Sequence, residues 1–111
     1  MTVQPSHLTI PPGAPVDMAE RAAEATAYLK TLAHEGRLMI LCHLCPGEKS
    51  VGELEALLGI RQAAVSQLLA RLREENLVTT RREGKTIYYR LADSNTQQVI
   101  GLLHNLFCAS E

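Results

Sequence analysis

The sequence of 111 residues contains no tryptophan, a single phenylalanine and only three cysteines. So few cysteines, in an odd number, exclude a small domain held together by disulfides. No apolar run reaches the roughly 18 residues that a membrane-spanning helix needs, so no membrane partner is expected. The first basic residue is Arg21, and no long apolar segment precedes it, which argues against a secretory signal. We therefore expect a cytoplasmic protein whose cysteines start as thiols.

The net charge is also low, at −1, but it is unevenly distributed. Residues 61–90 carry seven basic and three acidic side chains, a local charge of +4, whereas residues 1–60 and 91–111 are acidic. With 46% hydrophobic residues, the chain can form one globular domain. A basic segment in an otherwise acidic chain indicates a surface for a polyanion, although a solvated arginine-rich surface would show the same charge pattern.

The beginning of the chain is rich in proline. Four of the five prolines lie in residues 1–15, which cannot hold a helix and are predicted to form a flexible N-terminal arm. Residues 16–111 are predicted to form a single domain. Asp17, followed three residues later by Glu20, has the pattern of a capping box, and it predicts a first helix that ends near Ala33.

Four further helices are predicted from capping residues, apolar spacing and helix breakers. Pro46 with Gly47 ends the second helix, Gly59 ends the third, and Asp93 or Ser94 begins the last. The predicted ranges are 34–44, 50–58, 62–75 and 94–108. The third and fourth helices, joined by a tight turn containing glycine, suggest a helix-turn-helix, although an ordinary helical hairpin would have the same pattern.

A β-hairpin is predicted between the fourth and last helices. The two predicted strands place Val78, Thr80, Arg82, Ile87, Tyr89 and Leu91 on one face and Thr79, Arg81, Tyr88 and Arg90 on the other. The turn is placed at Glu83 and Gly84. The tip of this hairpin carries the basic residues Arg81, Arg82 and Lys85. A helix-turn-helix followed by a basic hairpin is a winged helix, so the predicted fold is mainly α with a β-hairpin wing.

Residues 29–91 resemble the ArsR family of small bacterial repressors. The stretches that carry the resemblance are LKTLAHEGRLMILCHL, SVGELEALLGIRQAAVSQLLARLREENLV and RREGKTIYYRL. The resemblance implies a homodimer built by the first and last helices, a recognition helix in the major groove of operator DNA, and wings on the flanking backbone. Arg61 and Leu68 depart from the family, which often has a serine N-cap and a polar residue at these two positions.

The fourth helix would present polar side chains to DNA while Val65 and Leu69 face the core. Glutamine can bridge the N6 and N7 atoms of adenine, serine can reach a base edge, and an alanine methyl can touch the thymine methyl. Basic side chains further along would contact phosphates. Solvent-facing polar residues would show the same pattern. The predicted DNA-binding residues are Gln62, Ala63, Ser66, Gln67, Arg71, Arg81, Arg82 and Lys85.

The metal sites typical of the family are missing from this sequence. The cysteine pair that such proteins carry near the start of the third helix is replaced by residues 50–54, SVGEL. The aspartate and histidine ligands of the last helix are also incomplete, because Asp93 is followed by Asn95, and Leu106 stands where the second histidine is expected. We therefore predict no metal site of these types and no cofactor.

Cys42 and Cys108 stand where the SqrR/BigR-like, persulfide-sensing branch of the family carries its two sensor cysteines. The resemblance rests on the contexts RLMILCHL and LLHNLFCASE. It implies that reactive sulfur species induce a polysulfide or disulfide bridge between Cys42 and Cys108, which weakens operator binding. Without the resemblance, both cysteines would be interpreted as small buried apolar residues. His104, four residues before Cys108, is either a polar neighbour of that thiol or a surface histidine.

Cys45 has no counterpart in that branch and is interpreted as incidental. An alternative function uses Cys42, Cys45 and Cys108 together as a thiolate site for a metal or metalloid ion. The spacing of Cys42 and Cys45 also matches the C-x-x-C motif of thiol oxidoreductases. That motif opens a helix after a strand, whereas here it closes a helix, so we predict that the protein is not an enzyme.

Overall fold

The computed structural model describes residues 13–108, so most of the predicted arm and residues 109–111 of the predicted domain lie outside the described part. Within residues 13–108, five helices and three strands follow one another in the order expected for a winged helix, which confirms the predicted fold class. The elements are α1 (Ala14–Leu32), α2 (Glu35–Leu44), β1 (Lys49–Ser50), α3 (Val51–Leu58), α4 (Gln62–Glu74), β2 (Val78–Glu83), β3 (Thr86–Leu91) and α5 (Ser94–Phe107).

Helix α1 begins earlier than its sequence predicts. Its N-cap is Gly13, and Pro15 lies inside the first turn, so the prediction that residues 1–15 exclude a helix is wrong at this end. Proline is tolerated there because the first N–H groups of a helix have no intrahelical acceptor. Asp17 therefore lies within the first turn, where its charge favours the helix N-terminus, and does not act as the predicted cap.

The corner between α1 and α2 is fixed by two polar side chains. The Nδ1 atom of His34 accepts hydrogen bonds from the backbone N–H groups of Gly36 and Arg37, at 3.1 and 3.3 Å. The Arg37 guanidinium donates to the carbonyl oxygen of Thr31 at 2.7 Å, at the end of α1. Each helix end thus receives a partner for backbone groups that its own turns leave free.

The predicted start of α3 and its predicted end are both confirmed. The Ser50 hydroxyl accepts from the N–H of Glu53 at 3.1 Å, and the Glu53 carboxylate accepts from the N–H of Ser50 at 2.8 Å. Gly59 ends the helix with φ 70°, in the left-handed region that favours glycine. Helix α4 begins at Gln62, so a short turn joins the two helices as predicted.

Replacing Ser50 by alanine is expected to lower the free energy of unfolding by about 1 kcal/mol, because the N–H of Glu53 loses its acceptor. Urea unfolding followed by circular dichroism measures this change. The matched control is Ser94→Ala at the exposed first position of α5, which we expect to change stability by less than about 0.5 kcal/mol. Equal stabilities of the two variants would contradict a stabilising role for the capping box.

The sheet has three antiparallel strands in the order β1-β3-β2, where the sequence predicted two. Strand β1 is only two residues long, too short to show an alternating pattern, and it pairs Lys49 with Tyr89. The hairpin turn consists of Gly84 and Lys85, so its predicted position is wrong by one residue. Gly84 has φ 63°, which is why glycine takes the first position of the turn.

The hydrophobic core is centred on α2. Ile40 and Leu41 have no exposed surface, and they pack with fully buried leucines and Val65 of α3 and α4. The Tyr28 hydroxyl donates to the hydroxyl of Thr96 at 3.0 Å, which joins α1 to α5. None of the helices within residues 13–108 combines the length and apolar character required to cross a bilayer.

Candidate nucleic-acid interface and cysteine site

Helix α4 presents one polar face to solvent and one apolar face to the core. Val65 and Leu69 have no exposed surface, as their spacing predicts, and this holds the opposite face outward. The exposed residues near its N-terminus include four predicted to contact DNA: Gln62, Ala63, Ser66 and Gln67. Their exposure leaves the amides and the hydroxyl free to bind a base edge, and direct contact with DNA remains a prediction.

The first turn of α4 lacks a side-chain cap. Arg61 occupies the N-cap position with extended backbone, and its side chain accepts no hydrogen bond from the helix. The sequence had marked this position as a departure from the family pattern. The uncapped N–H groups, together with the exposed guanidinium of Arg61, form an electropositive helix end that is suited to an anion such as a phosphate.

A groove of about 390 Å³ separates α4 from the wing. It is lined by Ser66, Ala70, Arg73, Glu74 and Tyr89. Arg73 was not predicted as a functional residue, because it lies at the C-terminal end of the helix and the periodicity of α4 gave it no special position. The groove therefore lies between the predicted residue Ser66 and the wing strand β3, which contributes Tyr89.

Arg81 and Arg82 of strand β2 lie on opposite faces of the sheet, since successive strand residues point to opposite sides. Arg82 pairs with Ile87 and shares the face of Val78, which packs on the core, and of Tyr89, which lines the groove. Arg81 therefore points away from α4. The sequence prediction had placed both arginines in one basic tip and did not distinguish their faces.

Arg81 is held by two carboxylates and an aromatic ring. Its Nε and Nη2 atoms donate to the carboxylate of Glu48 at 3.1 and 2.5 Å, and its Nη1 atom donates to Glu83 at 3.1 Å. The guanidinium carbon lies 4.7 Å from the centre of the Tyr88 ring. These hydrogen bonds lower the pKa of the Glu48 carboxyl. To bind a phosphate, Arg81 would have to exchange these partners.

The other predicted phosphate contacts are less constrained. The Nε atom of Arg71 lies 3.7 Å from the Glu75 carboxylate, one helical turn away on an exposed face. Exposed pairs of this kind contribute little to stability, so Arg71 can turn to another anion at little cost. Arg82 and Lys85 are exposed at the end of the hairpin. These three side chains supply positive charge on the surface of the wing and α4.

The three cysteines are free thiols that lie near the junction of α2 and α5. Cys42 and Cys45 are half-buried on α2, whereas Cys108 is exposed at the C-terminal end of α5. Burial raises the pKa of Cys42, and a charge on Cys108 raises it further. The pKa of Cys45 is raised by burial and by a charge on Cys42.

The cysteine site is poorly arranged to bind a metal ion. Within residues 13–108, no three His, Cys, Asp or Glu side chains are grouped so as to hold one. A site built from Cys42, Cys45 and Cys108 would therefore need the helices to rearrange. The raised pKa of Cys42 and of Cys45 also disfavours the thiolate form that a soft metal requires. His104 is exposed, and its carbonyl oxygen accepts the N–H of Cys108 at 2.8 Å.

Residues 34–80 match the family described as bacterial regulatory protein, arsR family. The chain is 54% identical over 94 residues to the biofilm growth-associated repressor of Agrobacterium fabrum, covering 85% of this chain and 80% of that protein. It is 46% identical over 99 residues to the transcriptional activator HlyU of Vibrio cholerae, covering 86% and 92%. The crystal structure of the transcriptional repressor BigR from Xylella fastidiosa matches with a TM-score of 0.80 and 48% identity, covering 86% of this chain and 98% of BigR.

These relatives are named as regulators of transcription and not as enzymes. These names agree with the prediction that the protein is not an enzyme. Because the matched proteins are covered over most of their length, the similarity extends beyond the helix-turn-helix to the wing and the terminal helices.

Proposed function

Because the chain belongs to the arsR family of bacterial regulatory proteins, we propose that it is a homodimeric transcriptional repressor controlled by reactive sulfur species. In the reduced state it binds operator DNA through α4 and the wing. A bridge between Cys42 and Cys108 then weakens this binding. The observation that supports the sensing step is that Cys42 lies half-buried on α2, which packs against α5, the helix that ends at Cys108. Since the proposed partner is operator DNA, the protein would act in the cytoplasm.

The exposed apolar side chains support the homodimer. A single winged helix covers one half-site, so a two-fold operator needs two copies. Helices α1 and α5 both leave large apolar side chains in solvent, and burying such a surface against a second copy is favourable. These residues are Val16, Met18, Leu29, Leu102, Leu106 and Phe107. The proposed dimer thus uses the first and last helices, and residues 16–111 combine the DNA-binding and dimerisation functions.

The proposed DNA interface divides between base recognition and phosphate contact. Gln62, Ala63, Ser66 and Gln67 are proposed to contact base edges, because they project from the N-terminal half of α4. The basic side chains Arg71, Arg82 and Lys85 are proposed to contact phosphates, which fix the position of the protein without reading sequence. Arg81 belongs to this set only if it exchanges Glu48 for a phosphate.

Replacing both Arg82 and Lys85 by alanine is expected to weaken operator binding and to reduce its dependence on salt. Each phosphate contact contributes roughly 0.9 to the slope of log K against log salt concentration, so the slope should fall by about two. Fluorescence anisotropy measures this with a duplex selected from a random pool by the wild-type protein. The control is Lys30→Ala, at an exposed basic residue of α1. An unchanged slope in the double variant would rule out the wing as a phosphate-binding element.

The sensing step needs a sulfur donor and two thiols. A persulfide passes its outer sulfur to one thiolate and leaves as a thiol. The second thiolate then attacks the new persulfide and expels hydrosulfide, which leaves a disulfide between the two cysteines. If both cysteines first receive a sulfur, the same attack leaves a trisulfide and hydrosulfide. The test is whether a persulfide donor releases operator DNA from the reduced protein and joins the Cys42 and Cys108 peptides.

A further inference from the structure

Cys42 has a second thiol neighbour on its own helix. Cys45 follows one turn later and is the C-cap of α2. Its backbone N–H donates to the carbonyl oxygen of Cys42 at 3.2 Å, so the last turn is tightened to a three-residue spacing. In such a turn the side chains of residues i and i+3 lie one above the other. Both side chains are half-buried beside the core, so they share one environment.

We propose that Cys42 and Cys45 are a second oxidation site, which peroxides convert to a disulfide within α2. The disulfide itself requires only the geometry of this turn. Its regulatory meaning rests on the proposed function, because a thiol can form only one bridge. Oxidation to the Cys42–Cys45 disulfide then withdraws Cys42 from Cys108, and the repressor keeps its operator when peroxide is the oxidant.

The geometry requires a small local movement. Residues three apart on a helix surface have Cβ atoms about 5–6 Å apart, and a disulfide needs roughly 3.5–4.5 Å. The last turn of α2 must therefore close by about 1–2 Å. No further helical turn follows it to resist this movement, because Leu44 is the last helical residue and Pro46 has no N–H to continue the helix. The movement stays within one turn, whereas a bridge to Cys108 joins two helices.

The reaction balances with a peroxide as the only oxidant. One thiolate of the pair attacks the O–O bond of hydrogen peroxide and becomes a sulfenic acid, while the departing hydroxide takes up a proton and forms water. The second thiol attacks the sulfenic sulfur, the S–S bond forms, and a second water leaves. The pair gives two electrons to the peroxide. Because burial and a charge on Cys42 raise the pKa of Cys45, and burial and a charge on Cys108 raise that of Cys42, the reaction should accelerate above neutral pH.

Trypsin separates the two possible bridges. Cleavage after Arg37, Lys49 and Arg90 leaves Cys42 and Cys45 together in peptide 38–49, and Cys108 in peptide 91–111. The reduced full-length protein is treated with hydrogen peroxide, alkylated, digested without reductant and analysed by mass spectrometry. We expect peptide 38–49 to be lighter by two hydrogens and to take no alkyl group, and peptide 91–111 to be alkylated. The treated protein should retain wild-type operator affinity within about twofold.

Two single variants make the result specific. Cys108→Ser keeps both thiols of α2 and should still give the unalkylated peptide 38–49. Cys45→Ser removes one partner, so peptide 38–49 cannot form an internal bridge, and Cys42 is then either alkylated or joined to peptide 91–111. The proposal is overturned if peptide 38–49 takes two alkyl groups after peroxide, or if its oxidised form is joined to peptide 91–111 in the wild type. A parallel sample treated with a persulfide donor tests sulfur sensing separately, so either idea can fail without the other.

Discussion

Persulfide treatment is expected to release operator DNA from the wild-type protein and to leave it bound to the Cys42→Ser and Cys108→Ser variants. The bridge needs both sulfurs, so either replacement should abolish the response. For the wild type we expect the Kd for operator to rise by about 5–150-fold, the usual range for coupling between two sites. Each variant should keep its reduced-state Kd within about twofold, because neither cysteine lies on the proposed DNA-binding face.

The physical reason for this effect lies in the position of α2. Ile40 and Leu41 of this helix are fully buried, and α2 packs against α4 and α5. A covalent link from Cys42 to the end of α5 therefore restrains α2, and α2 packs against the buried face of the recognition helix α4. Closely packed interiors transmit such a restraint because they have few voids to absorb it. Binding weakens if the bridged arrangement fits operator DNA less well than the reduced one.

The measurement combines anisotropy with mass spectrometry on the same samples. Linked peptides 38–49 and 91–111 must appear in the treated wild type and disappear in both variants. Cys45→Ser is the matched control, since it removes a thiol from the same helix and should keep the response. If arsenite releases DNA from the wild-type protein while the persulfide donor does not, and Cys45→Ser abolishes the release by arsenite, the thiolate metalloid site is the correct function. If the persulfide donor still releases operator DNA from both the Cys42→Ser and the Cys108→Ser variants, these two cysteines are excluded as sensors.

The second large effect concerns base recognition by α4. The double variant Gln62→Ala, Gln67→Ala is expected to lower operator affinity by roughly 30-fold or more, because each bidentate contact to a base contributes about 1–3 kcal/mol. Affinity for an unrelated duplex should change little, since binding without sequence preference depends on phosphates. The salt slope should also stay unchanged. The Gln62→Ala, Gln67→Ala variant therefore loses sequence specificity, whereas the Arg82→Ala, Lys85→Ala variant loses contacts with phosphates.

The fold is not expected to suffer from these two substitutions. Val65 and Leu69 hold α4 to the core from the opposite face, and alanine is a better helix former than glutamine. Competition anisotropy with operator and unrelated duplexes measures the ratio of affinities. The matched control is Gln98→Ala, at an exposed glutamine of α5 away from α4. Equal losses on both duplexes would mean that the glutamines do not read bases.

The sequence predicted those parts of the fold whose signals are local. Ser50 and Glu53 identified a helix start because both partners of the capping box lie within four residues. The buried positions of α4 followed from helical periodicity. Strand β1 escaped prediction because two residues show no period, and its pairing with Tyr89 spans 40 positions of the chain. The capping role of His34 was not predicted because histidine is an uncommon N-cap. Only the hydrogen bonds that its Nδ1 atom accepts show this role.

The candidate site was predictable in its residues but not in its arrangement. Periodicity identified the exposed residues of α4, yet nothing in the sequence separated Arg81 from Arg82. Their difference comes from Glu48, which is 33 residues away and meets Arg81 only after the hairpin folds beside β1. Likewise, the resemblance marked Cys42 and Cys108, but how α5 returns to pack on α2 could not be predicted from their positions in the chain. Contacts between distant segments are properties of the folded chain.

The Glu48–Arg81 pair has a kinetic consequence for the repressor. Only Pro46 and Gly47 separate this glutamate from Cys45, and the next residues pair with β3, so the end of α2 is tied to the wing by a very short connection. A displacement of the whole of α2, such as a bridge from Cys42 to α5 would impose, would reach the wing through this connection, whereas a closure confined to the last turn of α2 can be taken up by Pro46 and Gly47. Loss of phosphate contacts by the wing would weaken binding without changing which bases are read. An inducer acting this way would shorten the residence time on the operator while the order of preference among DNA sequences stays the same.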